Sequence, residues 1–137
     1  MKIMHRFKNL IKALNNAKPN FVLSESLGLD KCPRSISYTL SKKGKCLAQI
    51  SGHFESRQIM KIDFMDVDSK LQRQGIGSGL LLTYIEYAKD KNVQEIHVKS
   101  ARTWQAISFY SRHGFKFIGQ KNLLIKRLCD NTNQKSS

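Results

Sequence analysis

The apolar positions switch between a helical and a strand period along the chain. Over residues 2–18, Ile3, Met4, Phe7, Leu10, Ile11 and Leu14 recur at steps of three and four, with Lys2, Arg6, Lys8 and Lys12 between them. That spacing is one face of a basic amphipathic helix, stopped at Lys18-Pro19-Asn20. Its apolar stripe suits packing against a sheet that needs cover. Residues 21–34 include Gly28 and Pro33 and show no clear period, which predicts a connection with a short strand over 21–23.

From Ser35 the pattern alternates. Ile36, Tyr38 and Leu40, then Lys42-Lys43-Gly44-Lys45, then residues 47–54 predict a β-hairpin. A third strand follows over 58–67. In it the alternation slips: Ile62 and Phe64 keep one phase, Met65 and Val67 the other. Side chains of a strand repeat every second residue, so this slip predicts a β-bulge.

After Gly75-Ile76-Gly77-Ser78-Gly79, the positions Leu80, Leu81, Tyr84, Ile85 and Ala88 mark a helix ending near Asn92. A strand is predicted over 93–98, a helix over 104–110 stopped by His113-Gly114, a final pair of strands over 115–128, and a polar tail over 130–137. Helix, three strands, helix, strand, helix and two strands make a single α/β or α+β domain with helices packed on a mixed sheet.

Composition narrows the class. A chain of 137 residues closes one core, not two. No apolar run approaches the roughly 20 residues of a membrane span. Cys32, Cys46 and Cys129 are odd in number and lack C-x-x-C spacing, and there is no signal peptide, so a reduced cytoplasmic setting is expected. His5, His53 and His113 show no ligand spacing, and no metal is expected.

Charge changes the list of partners. The chain carries 24 Lys and Arg against 10 Asp and Glu, a net charge of +14. Residues 1–61 hold 12 basic and 3 acidic residues, so the excess leans toward the amino-terminal half. Such a field attracts nucleic acid, a ribosome or an acidic protein weakly, and it repels a polyamine. A solvated Lys-rich surface has the same composition.

Candidate chemistry centres on the glycine loop. At a helix start the first amides lack helical partners, glycine admits a ligand to the backbone, and the helix dipole favours an anion. A P-loop needs a Lys at the helix start, and a dinucleotide fingerprint needs a glycine where Leu80 stands. Neither pattern fits. A glycine turn that merely packs helix on sheet is the plain alternative.

The loop is accompanied by a second motif. Gln72-x-x-Gly75-x-Gly77, preceded by Met65-Asp66-Val67 and followed by Ala106-Ile107-Ser108-Phe109-Tyr110 and Gly114-Phe115, resembles the acetyl-CoA-binding core of the GNAT N-acetyltransferase superfamily. The resemblance covers about residues 34–128, and residues 71–81 are similar to the bacterial ribosomal-protein N-terminal acetyltransferases. It implies a mostly antiparallel mixed sheet with helices on both faces. It also implies a variable, abbreviated part over 1–33, an acetyl-CoA-binding core over 34–128 and a tail over 129–137.

The resemblance further implies roles. Met65, Asp66 and Val67 would pair with pantetheine along a splayed strand. Gln72, Arg73, Gln74, Gly75, Ile76, Gly77 and Ser78 would cradle the pyrophosphate, and Thr103 stands where relatives carry an Asn. Tyr110 would protonate the leaving thiolate; a core-packing tyrosine is the alternative. His97 would act as base, with Asp63 and Asp66 as rivals or merely solvated carboxylates. The acceptor is an amine of a protein or small molecule, and the protein a monomer or homodimer. A non-catalytic CoA-binding or nucleic-acid-binding module on the same fold is the second reading.

Overall fold

The computed structural model describes Lys8, Lys12 and residues 21–30, 32–72, 75–99 and 103–128. The predicted amino-terminal helix lies outside the described residues except for Lys8 and Lys12, both helical and exposed. Arg73, Gln74, Cys129 and the tail also lie outside them.

Seven strands form one sheet: β1 (Phe21–Gly28), β2 (Ser35–Lys42), β3 (Lys45–Phe54), β4 (Ile59–Val67), β5 (Glu95–Val98), β6 (Lys116–Ile118) and β7 (Leu123–Arg127). Their order is β1-β2-β3-β4-β5-β7-β6. Every neighbouring pair is antiparallel except β4 and β5. A parallel pair needs a crossover, and helix α1 (Ile76–Asp90) supplies it. Helix α2 (Trp104–Arg112) joins β5 to β6.

The hairpin forms as the alternation predicts. Ile36, Tyr38 and Leu40 on β2 and Ala48, Ile50 and Phe54 on β3 face the core, and Lys43 and Gly44 take the positive φ of a tight turn. Leu80, Leu81, Tyr84, Ile85 and Ala88 of α1 are buried against that face.

Three expectations are corrected. Residues 21–28 are a full strand, paired with β2 along its whole length, so the sheet begins at Phe21. Only Phe21 of that strand is buried, because an edge strand held by its partner needs no apolar period of its own. The glycine loop does not follow β4 directly: Asp68 caps a short 3-10 turn, Ser69–Leu71, by accepting from the Lys70 amide at 3.0 Å. Phe64 does not share the inward phase of Ile62; it is exposed.

Candidate active site

Strand β4 has two halves with different neighbours. Residues 59–62 pair with β5 in parallel, from Ile59 opposite Glu95 to Ile62 opposite Val98. Beyond Ile62 the strand continues to Val67 paired only with β3 among the described residues. The register shows why. Ser51 faces Phe64 and Gly52 faces Ile62, so Asp63 is an extra residue, the bulge that swings the rest of β4 away from β5.

The ladder then decides which backbone groups face that opening. Asp68 donates its amide to the Leu47 carbonyl at 2.8 Å, which marks Asp68–Leu47 as a hydrogen-bonded pair. Alternation along an antiparallel ladder directs the Asp66 backbone toward β3 as well, and turns the amides and carbonyls of Met65 and Val67 outward to the vacated side. Of those groups the Val67 carbonyl is taken, by Gln72 Nε2 at 3.1 Å. Gln72 thus ties the loop to the end of β4.

Gly52 and Tyr84 hold the bulge. The Tyr84 hydroxyl, fully buried on α1, donates to the Lys61 carbonyl at 2.6 Å. A Cβ on Gly52 would collide with that carbonyl and that hydroxyl. Burial keeps the Tyr84 phenol far above its ordinary pKa, so the donor is always present. Tyr84→Phe should cost about 1 kcal/mol or more, since it leaves a buried carbonyl without its donor. Chemical denaturation measures this; an unchanged midpoint would deny the bond any weight.

The loop ends with Gly75 at φ 87°, a left-handed conformation natural to glycine, as the residue before α1. The first helical bond runs from the Gly79 amide to the Gly75 carbonyl at 2.9 Å. The amides of Ile76, Gly77 and Ser78 therefore have no helical partner. A Cβ on Gly77 would meet the Phe109 ring and Val67 at 3.7 Å, so the helix start, α2 and the end of β4 converge there.

Helix α2 carries Tyr110 to the same region. Its hydroxyl has no hydrogen-bond partner among the described residues, unlike Tyr38, which donates to Glu25, and Tyr84. Tyr110 packs edge-on against Phe109 and Phe115, and burial raises its pKa to about 12. Thr103 caps α2, its hydroxyl accepting the Ala106 amide at 3.1 Å.

Ser78 and His113 join the two helices through a 3.0 Å hydrogen bond between Oγ and Nε2. Burial, and then the charges of Arg112 and Lys126, hold His113 below the ordinary histidine value. The unfolded chain therefore takes up this proton first as pH falls. The stabilising effect of neutral His113 is complete above about pH 6.5 and is lost below it. The melting temperature of the wild type should fall more steeply from pH 7 to 5 than that of His113→Gln; parallel curves would refute the assignment.

On the outward face of the sheet, His53, Lys61 and His97 lie in one register row across β3, β4 and β5. His97 Nε2 is 2.8 Å from Glu95 Oε1, and His53 Nδ1 is 2.9 Å from Asp63 Oδ2. Each imidazole has a carboxylate partner, Asp63 at the bulge and Glu95 at the closed end of the β4–β5 pairing. Asp66 lies apart, exposed beside Phe64, and with half-buried Gln49 they line a shallow cavity of about 130 Å³. From the sequence His53 is only an isolated histidine, Tyr84 only a helix-face position, and Gly52 carries no signal of its own. Among the described residues no group of three or more His, Cys, Asp or Glu could hold a metal ion.

The family model described as "Acetyltransferase (GNAT) domain" matches residues 39–123, more than half of the chain. The chain belongs to the GNAT acetyltransferase family. No curated protein matches it. Among solved structures, an acetyltransferase from Bacillus cereus ATCC 14579 is 24% identical, with 90% of each chain covered and a TM-score of 0.60. A GNAT acetyltransferase from Elizabethkingia anophelis with acetyl-CoA bound is 19% identical, covering 81% of this chain and 100% of that one at a TM-score of 0.61. The ribosomal-protein-S18-alanine N-acetyltransferase of Escherichia coli is 20% identical over 68% of each chain at a TM-score of 0.58. At these identities the likeness is one of fold: the mixed seven-stranded GNAT sheet with its two described helices. No helix among the described residues is long and apolar enough to cross a membrane.

Proposed function

We propose that this GNAT protein transfers an acetyl group from acetyl-CoA to a primary amine by direct attack. The observation that carries the proposal is the opened strand: β4 leaves β5 after Ile62, and the free amides of Met65 and Val67 face the gap while three partnerless amides wait at the start of α1. An extended pantetheine chain needs such a strand edge, and a pyrophosphate needs such a helix start. Arg73 and Gln74 would complete the cradle, and the Thr103 hydroxyl, which accepts from Ala106, keeps its own proton to donate.

The reaction breaks the thioester C–S bond, forms a C–N bond, passes a proton from the amine to a base and releases CoA as a thiolate, which takes its proton from solvent. The Val67 amide would donate to the carbonyl oxygen as negative charge develops on it. Tyr110, neutral at every working pH, would donate to the departing sulfur. With its pKa near 12 the phenol is a weaker acid than a thiol, so stabilisation by the hydrogen bond outweighs outright proton transfer. Glu95, as acceptor, keeps the proton of His97 on Nε2, leaving Nδ1 as the basic nitrogen toward an amine on the outward face.

A reduced, cytoplasmic setting belongs to the same reading, since Cys32 and Cys46 are free and exposed. The test is release of free CoA thiol on adding primary amines, from small molecules to peptides with free amino termini. Turnover with any of them supports the proposal. Binding of acetyl-CoA without turnover, across such a panel, would favour a non-catalytic CoA-binding module.

A further inference from the structure

The far end of α1 from the glycine loop holds a second concave site. Leu29, Arg34, Phe54, Arg57, Tyr87 and Lys91 line a cavity of about 260 Å³. Its cations are set against rings. The Arg34 guanidinium carbon is 4.5 Å from the centre of the Phe54 ring and Lys91 Nζ is 5.6 Å from that of Tyr87, while the two rings meet edge to face at 6.5 Å. A cation held over a ring keeps donors at its edge for another partner.

Among the described residues, none of Arg34, Arg57 and Lys91 has a salt-bridge partner. The carboxylates close by, Asp30 and Asp90 beside Leu29 and Lys91 in sequence among them, form no salt bridge with these three cations. Glu25, near enough to help raise the Tyr87 pKa, accepts the Tyr38 hydroxyl at 2.6 Å, and Glu55, next to Phe54, lies 3.6 Å from Lys61 Nζ. Three unit charges thus line one concavity, none of them within salt-bridge distance of a carboxylate among the described residues. The half charge at the carboxyl end of α1 opposes an anion there, and three full cations outweigh it.

We propose that this cavity binds a phosphate monoester of about mononucleotide size. Two guanidinium groups match the paired oxygens of a phosphate dianion, which a single carboxylate cannot offer to both. The Phe54 and Tyr87 rings and the half-exposed Leu29 supply an apolar wall for an organic body. The site is separate from the glycine loop: Gly75 and Lys91 are about 24 Å apart along the helix at 1.5 Å per residue.

The test is an NMR titration of the full, isotope-labelled chain with adenosine 5′-monophosphate, with adenosine and inorganic phosphate as comparison arms. Amides at the loop and at the cavity report separately, so this inference can fail without the proposed transferase activity failing. Saturable shifts are expected at residues 55–58 and 87–91 with the monophosphate, none with adenosine, and weaker ones with inorganic phosphate. The double variant Arg34→Gln, Lys91→Gln should weaken binding there about a hundredfold, since each charged hydrogen bond contributes about tenfold, and spare any shifts at residues 75–78. Absence of saturable shifts at the cavity, equal shifts with adenosine, or shifts unchanged in the double variant would overturn the proposal. Inorganic phosphate binding as tightly as the monophosphate would overturn the assignment of an ester.

Discussion

Gly52→Ala is expected to be the most damaging single substitution in the sheet, lowering stability by about 3 kcal/mol. Adding one methyl to a packed core usually costs about 1–3 kcal/mol, because side chains can shift to admit it. Here the methyl meets the Lys61 carbonyl, which is backbone, and the Tyr84 hydroxyl bonded to it. Neither can move without undoing the bulge. For a domain of this size the loss corresponds to a fall in melting temperature of about 10 °C. Because the bulge opens the gap between β4 and β5, whatever folded variant remains should also bind acetyl-CoA more weakly. A melting temperature within a degree or two of wild type would show that the bulge relaxes freely and that Gly52 has no special role.

Tyr110→Phe should leave the fold and acetyl-CoA affinity nearly intact and lower the rate of transfer about a hundredfold. The ring stays between Phe109 and Phe115, and the lost hydroxyl has no partner among the described residues. Loss of a donor to the leaving group typically costs about a hundredfold or more when chemistry limits the rate. Tyr84→Phe is the matched comparison, because its hydroxyl is spent on Lys61: that variant should lose stability first. An unchanged single-turnover rate in Tyr110→Phe would return Tyr110 to core packing alone.

Much of this arrangement was legible in the sequence because it rests on local periods. The alternation of Ile36, Tyr38 and Leu40, the helical spacing from Leu80 to Ala88 and the loop glycines each follow from backbone geometry that neighbours in sequence impose. The phase slip in β4 announced a bulge but set it after Phe64, about two residues past its place. Asp63 is the inserted residue, and Phe64 turns outward with it.

The rest depends on partners distant in sequence. Residues 24–26 on β1 are polar and exposed, so nothing in their own pattern announces a strand that β2 templates. The slot of β7 between β5 and β6 is set by sheet order, which no single segment encodes. His53 joins the row of Lys61 and His97 only because register places it opposite Lys61, itself opposite His97. The purpose of Gly52 likewise lies in a tyrosine 32 positions away, reached through the carbonyl of Lys61.

The central claim is that the gap beside Met65 and Val67, with the helix start at Gly75–Ser78, is a binding site for acetyl-CoA. Calorimetric titration of acetyl-CoA into the full chain tests it most directly. The account predicts saturable binding of one molecule per chain, weakened in Gly52→Ala and retained in Tyr110→Phe. A titration that shows no saturable heat up to millimolar acetyl-CoA, confirmed by an unshifted melting temperature at the same concentration, would contradict it.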